Sequence, residues 1–201
     1  MSRRLVLAST SPFRRELVTR FGLPFECVAP DVDETRLPGE SPSAMVRRLA
    51  EAKARAVADR FPDALIIGSD QCAALGETIL GKPGSHERAI EQLRACSGRR
   101  VMFHIGLCLL DTANGHMQLD EVLFPVRFRH LSEAQIDGYL RHDQPYNCAG
   151  SFRSERLGIA LFEALEGTDP TALMGLPLIR LTAMLGAAGL DVLTATADNG
   201  S

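Results

Sequence analysis

The strongest constraint on what this chain can fold into is a change of period between residues 5 and 17. Leu5, Val6 and Leu7 form an uninterrupted apolar run, the pattern of a buried strand, and ASTSPFRREL spans residues 8–17. Ser11 predicts a helix N-cap. Pro12, with its fixed φ and missing N–H, predicts the first helical position. Arg14 and Arg15 then fall in the first turn, where a cation opposes the helix dipole by about 0.3–1 kcal/mol unless an anion binds in front of it. Backbone N–H groups, the hydroxyls of Ser9, Thr10 and Ser11 and two guanidinium forks together make a phosphate receptor. On this segment alone, two solvated surface arginines are an equally good reading.

The 201 residues suffice for one sizeable domain, or one domain with an elaborated lobe, and 45% apolar residues are ordinary for a globular core. A net charge of -3 argues against nucleic-acid or anionic-membrane binding, so a basic cluster here has to serve a small anion. Cys27, Cys72, Cys96, Cys108 and Cys148 are odd in number and show no CxxC spacing, which speaks against a disulfide framework or a zinc site. Reduced thiols and a cytoplasmic location are the simplest account. Arg3 and Arg4 precede only a short apolar run, which fits neither a signal peptide nor a membrane span.

Along the chain, Phe25 to Ala29 predicts a second strand, and the following PDVDE and LPGESP segments a loop carrying Asp31, Asp33 and Glu34. Residues 41–60 predict a helix whose apolar stripe is Met45, Leu49, Ala52, Ala56 and Val57, and Lys53 on it reads by position as a solvated residue. Ala64 to Ile67 predicts a buried strand with Asp70 at its C-terminal end, where open α/β sheets bind ligands. Beyond a ribbon or loop at 72–80, a helix is expected over 87–96, a long hairpin over 101–129 around Asn114 and Gly115, and a helix from a Ser132 cap to His142. AGSFRSE reads as a loop or short strand, GIALF as a strand and residues 177–188 as a last helix. Residues 1–193 are expected to form a single domain and 194–201 a frayed tail.

Charged residues that suit a nucleotide and its metal stand at four separated places: Arg14 and Arg15, the acidic loop, Asp70, and the lysines Lys53 and Lys82. Magnesium takes oxygen ligands, usually one or two carboxylates plus substrate phosphates, so Glu34 and Asp70 suffice if they converge. PDVDE also reads simply as a solvated loop, and Lys82, between Gly81 and Pro83, as a turn lysine. A carboxylate directly after an apolar strand is harder to treat as incidental, because buried carboxylates are rarely left unpaired. Neither GxxxxGK[ST] nor GxGxxG occurs, His104, His116 and His130 lack metal-ligand spacing, and Ser9 has no His or Asp partner near it in sequence.

Taken together, ASTSPFRREL, VDE at 32–34, EAKA at 51–54, GSDQ at 68–71, GKP at 81–83 and AGSFRSERLG at 149–158 resemble the Maf family of nucleotide pyrophosphatases, most closely its 7-methyl-GTP branch. The resemblance implies a two-lobed α/β fold related to inosine triphosphatase, with a mixed central sheet flanked by helices and a deep cleft. It also implies a cytoplasmic, often dimeric hydrolase that uses a divalent cation, magnesium or manganese, to split a nucleoside triphosphate between its α and β phosphates. Carried over by position, Asp70 matches the general base and Glu34, with Asp70, the metal carboxylates. Ser9, Arg14, Arg15, Lys53 and Lys82 match the phosphate-binding set. Phe13, Gln71 and Glu155 match the positions that set the base, where a dTTP/UTP-directed branch tends to have Arg, Thr and Gln. A 7-methylguanine carries delocalised positive charge, which suits an aromatic face and a carboxylate better than a guanidinium. Phe13 stands where the branch often has the stronger cation–π partner Trp, and by period alone it also reads as a core residue of the first helix. A nucleotide-binding regulator of cell division is the alternative outside enzymology.

Overall fold

The computed structural model describes residues 3–195. It contains strands β1 (Arg4–Ala8), β2 (Phe25–Val28), β3 (Ala64–Leu75), β4 (Thr78–Leu80), β5 (Arg100–Asp111), β6 (Met117–Phe128) and β7 (Phe162–Leu165). The helices are α1 (Pro12–Thr19), α2 (Pro42–Ala58), α3 (His86–Cys96), α4 (Glu133–Asp143), α5 (Leu178–Ala187) and α6 (Val192–Ala195). The strands form one mixed seven-stranded sheet in the order β2-β1-β3-β5-β6-β7, with β4 paired to β3. The expected mixed sheet flanked by helices is what the chain forms. The described residues divide into two compact units, one of residues 3–71, 105–122 and 169–195, the other of 72–104 and 123–168. Of the expected tail, Thr194 and Ala195 belong to α6, and residues 196–201 lie outside the described residues.

In the first unit, strand alternation builds two cores, because successive side chains point to opposite faces. Leu5, Leu7, Leu65, Ile67, Leu107 and Leu109 pack with Leu17 and Val18 of α1 and with Leu181, Met184 and Leu185 of α5. Val6, Ala8, Ala64, Ile66, Cys108 and Leu110 pack on the other face against Ala50, Ala54 and Val57 of α2. β1 runs parallel to both β2 and β3, with Leu7 beside Cys27 and Ile67. Two glycines let α2 descend onto this sheet. A Cβ on Gly68 would stand 2.1 Å from the Ala50 carbonyl oxygen, and one on Gly106 2.1 Å from that of Val46.

The acidic loop is tied back to α2 by one arginine. Arg48 grips both carboxylate oxygens of Glu40 at 2.6 and 2.8 Å and donates to the Thr35 carbonyl at 3.1 Å. Glu40 also accepts from the Leu37 N–H at 3.0 Å, while Arg36 donates to the Glu40 carbonyl at 2.6 and 2.9 Å. The segment just after Glu34 is thereby a braced turn.

In the second unit, Phe103, Phe128, Phe152 and Phe162 meet edge to face, with centroids 4.9–5.7 Å apart. α4 starts with a capping box between Ser132 and Gln135. The GIALF segment differs from its expected strand. Residues 157–161 form a 3-10 helix, and strand pairing begins only at Phe162, which pairs with Phe128. AGSFRSE likewise begins with a short 3-10 segment at Ala149–Ser151, kinked at Gly150, whose φ of 75° lies outside the helical region. Short apolar runs do not distinguish such turns from strands.

Two outcomes follow. Gly68→Ala forces a methyl into backbone atoms of α2 and is expected to cost about 1–3 kcal/mol or more, read as a lower urea midpoint; an unchanged midpoint would show that α2 can retreat freely. The Glu40 carboxyl is lowered from 4.5 to about 2, chiefly by its hydrogen bonds from Arg48. A depressed folded-state pKa stabilises above the unfolded value and is lost as pH falls toward the folded one. The stability gap between wild type and Glu40→Gln is therefore full at neutral pH and closes between pH 4.5 and about 2, as denaturation at a series of pH values would show.

Candidate functional site

The direction in which each residue of GSDQ points follows from β3. Gly68 and Asp70 share the face covered by α2, whereas Ser69 and Gln71 share the opposite face. β3 extends well past Asp70, to Leu75, so Asp70 lies within the strand rather than at its end as expected. β1, however, stops at Ala8, one residue beyond the Leu7–Ile67 pairing. Asp70 therefore lies past the C-terminal end of its parallel neighbour.

Lys53 is the residue that sequence reasoning placed worst. It is buried, 5% exposed, on the face of α2 that also carries Val46, Leu49, Ala50 and Val57. The expected stripe through Ala52 and Ala56 was rotated: Ala56 is exposed and Ala52 only half-buried. Helix spacing tolerated either face, because small alanines stand on both.

The Lys53 ammonium lies 2.7 Å from Asp70 Oδ1 and 2.6 Å from Glu34 Oε1. Two carboxylates, one on a strand and one on the braced loop, thus converge on one buried cation. Burial raises the Asp70 pKa; the charges of Lys53 and Arg14 oppose the rise and Glu34 adds to it. The result is a carboxylate more basic than usual, beside a buried ammonium and a guanidinium.

α1 meets the expectation of its sequence. Ser11 caps it, its side chain accepting from the Arg14 N–H, with Pro12 first in the helix. Ser9 is buried, and its Oγ accepts from the Ser11 N–H at 3.1 Å. Arg14 donates through Nε to the Gly175 carbonyl at 2.9 Å, which leaves its two terminal nitrogens for an anion. Burial lowers its pKa, and Asp70 and Glu34 counter that, so Arg14 and the carboxylate pair share one electrostatic environment. Arg15 and Phe13 are exposed, Phe13 at 42%, so Phe13 is not a core residue of α1. Gln71 is held by the Leu173 carbonyl at 3.1 Å and by that of Ala172 at 3.5 Å.

The first unit therefore gathers Glu34, Lys53, Asp70 and Arg14 from the loop before α2, α2 itself, the middle of β3 and the start of α1, with Ser9 just after β1 and Gln71 next to Asp70 on β3. Lys82 and Glu155 belong to the second unit, both exposed: Lys82 follows β4, and Glu155 lies between the two 3-10 turns. Sequence reasoning missed the segment 169–175, whose Asp-Pro-Thr start and late glycine were its available signals. Asp169 is 3% exposed there.

Among the described residues no three His, Cys, Asp or Glu side chains gather as a metal cage. The donor set that is present still suits a hard cation. Glu34 and Asp70 each turn one oxygen to the Lys53 ammonium, and such carboxylates are the donors magnesium characteristically takes, one or two at a time, with the remainder from phosphates and water. No helix among the described residues is long and apolar enough to cross a membrane.

Comparison with known proteins gives the same pattern a lineage. The chain is 61% identical over 189 residues to the 7-methyl-GTP pyrophosphatase of Nitrosococcus oceani, covering 94% of this chain and 95% of that one. It is 55% identical to that of Pseudomonas fluorescens, covering 94% and 98%, and 56% identical to that of Alcanivorax borkumensis, covering 94% and 95%. The model of the family described as Maf-like protein matches residues 4–188. With that match and these relatives spanning nearly its whole length, the chain belongs to the Maf family.

Proposed function

We propose that the protein is a hydrolase that cleaves 7-methyl-GTP between its α and β phosphates, releasing 7-methyl-GMP and pyrophosphate and so keeping a modified nucleotide out of nucleic acid. The observation that carries this reading is the convergence of Glu34 and Asp70 on the buried Lys53 ammonium, in one electrostatic environment with Arg14. The names of the relatives at 55–61% identity support the substrate.

Hydrolysis of a phosphoanhydride asks for in-line placement of water and neutralisation of charge more than for covalent chemistry. Asp70, with a pKa raised by burial, takes the proton of the attacking water. Lys53 fixes that carboxylate in place, while the terminal nitrogens of Arg14, the Ser9 hydroxyl and the capped α1 N-terminus bind phosphate oxygens. Arg15 adds positive charge at the same helix end. Glu34 and Asp70 would hold a divalent cation, which supplies charge neutralisation at the phosphates when bound. Phe13, exposed on α1, offers its ring face to the cationic base. Lys82 and Glu155 keep the phosphate-binding and base-reading roles that the family resemblance implies.

Incubation with magnesium or manganese and a panel of nucleoside triphosphates tests this reading through release of monophosphate and pyrophosphate. We expect 7-methyl-GTP to be turned over fastest. No turnover of any member would end the proposal, and preference for dTTP and UTP would replace its substrate. Phe13→Arg, which sets a like charge against the methylated base, is expected to lower kcat/KM for 7-methyl-GTP more than for UTP; equal effects on both would remove Phe13 from base selection.

A further inference from the structure

The segment from Asp169 to Gly175 is built as a rigid turn. Asp169, nearly fully buried, accepts from the Thr171 N–H at 3.0 Å, the Thr171 hydroxyl at 2.6 Å and the Ile179 N–H at 2.8 Å. The Thr171 oxygen in turn accepts from the Leu178 N–H at 2.8 Å, joining the turn to the start of α5. Within it the carbonyls of Ala172, Leu173 and Gly175 all receive donors from the candidate site. Arg14 Nε donates to Gly175 at 2.9 Å, the fully buried Ser69 hydroxyl to the same oxygen at 3.0 Å, and Gln71 Nε2 to Leu173 and Ala172.

Backbone carbonyls only accept hydrogen bonds, so they fix which end of the Gln71 amide faces them. The nitrogen is committed to the turn, and Oε1 is the end left to meet a ligand. Gly175 allows this arrangement in two ways. Its φ is 104°, where residues with a side chain are strained, and a Cβ there would stand 3.2 Å from Gln71 Oε1 and 3.4 Å from Arg14 Nε.

We infer that the 169–175 turn is a positioning element for base selection, with Gly175 its key residue: its carbonyls aim the Arg14 guanidinium and present Gln71 to the base as a hydrogen-bond acceptor. The inference rests on the pyrophosphatase reading for its substrate, not for its geometry. A base that carries an exocyclic amino group beside its ring N–H, such as 7-methylguanine, meets Oε1 with two adjacent donors where uracil has one, and a Gln71 amide free to rotate would offer donor and acceptor without distinction.

The test pairs kinetics with a readout that needs no turnover. In Gly175→Ala, the ratio of kcat/KM for 7-methyl-GTP to that for UTP is expected to fall about fivefold, the worth of one misplaced hydrogen bond. Ser69→Ala, which removes one donor to the Gly175 carbonyl and adds no strained residue, is expected to lower the ratio in the same direction with the thermal midpoint little changed. A purely structural role would lower both substrates equally. The side-chain amide protons of Gln71, seen by ¹⁵N-resolved NMR, are expected at hydrogen-bonded shifts with slowed solvent exchange in the wild type and at free-amide positions in Gly175→Ala. Should the wild type hydrolyse nothing, the functional reading fails while the amide signals still decide the geometry. Free-amide signals in the wild type, or an unchanged ratio in both variants, would overturn the inference.

Discussion

The arrangement depends on a lysine ammonium taken out of water and shared by two carboxylates. Placing Lys53 on the buried face of α2 is unfavourable unless its charge is met, because isolated ions in the interior are strongly destabilising. Asp70 and Glu34 meet it at 2.7 and 2.6 Å. An apolar residue of similar volume at 53, with a neutral partner at 70, would often stabilise a fold as well or better. The charges therefore make more sense as chemistry than as a staple, and the rest of the first unit can be understood as the means of placing them.

That placement begins with glycine. Because Gly68 and Gly106 carry no Cβ, α2 packs directly on β3 and β5, and the helix comes close enough for Lys53 to reach across to Asp70. The alternation of β3 then sends Asp70 toward α2 and Gln71 toward the 169–175 turn, so one strand serves both faces of the sheet. The Arg48–Glu40 grip braces the loop that carries Glu34. Each device is local, and each bears on the same few charges.

Much of this was legible in the sequence. The β1–α1 start, with Ser11 as cap and Pro12 behind it, follows from residue types whose physical preferences are strong and local. The Asn114–Gly115 hairpin and the Ser132 cap are legible for the same reason. Lys53 was not, since alanines surround the α2 stripe and give the periodicity no sharp edge. Nor was the full length of β3, because Gly68, Ser69 and Asp70 look like a loop until both faces of the strand are seen to be covered. The 169–175 segment reads as a turn from Asp169, Pro170 and Gly175, but its link to the site is not legible because that link runs through backbone carbonyls. Phe13 was read as either core or ligand contact, and only burial could separate the two.

The most direct test of the account replaces the basic carboxylate with its neutral isostere. In Asp70→Asn, nucleotide affinity, measured by calorimetry with 7-methyl-GTP, should stay near that of the wild type because Arg14, Lys53 and Ser9 remain. Pyrophosphate release should fall by about 100-fold or more, the range of a lost general base. Hydrolysis at the wild-type rate in that variant would contradict the account.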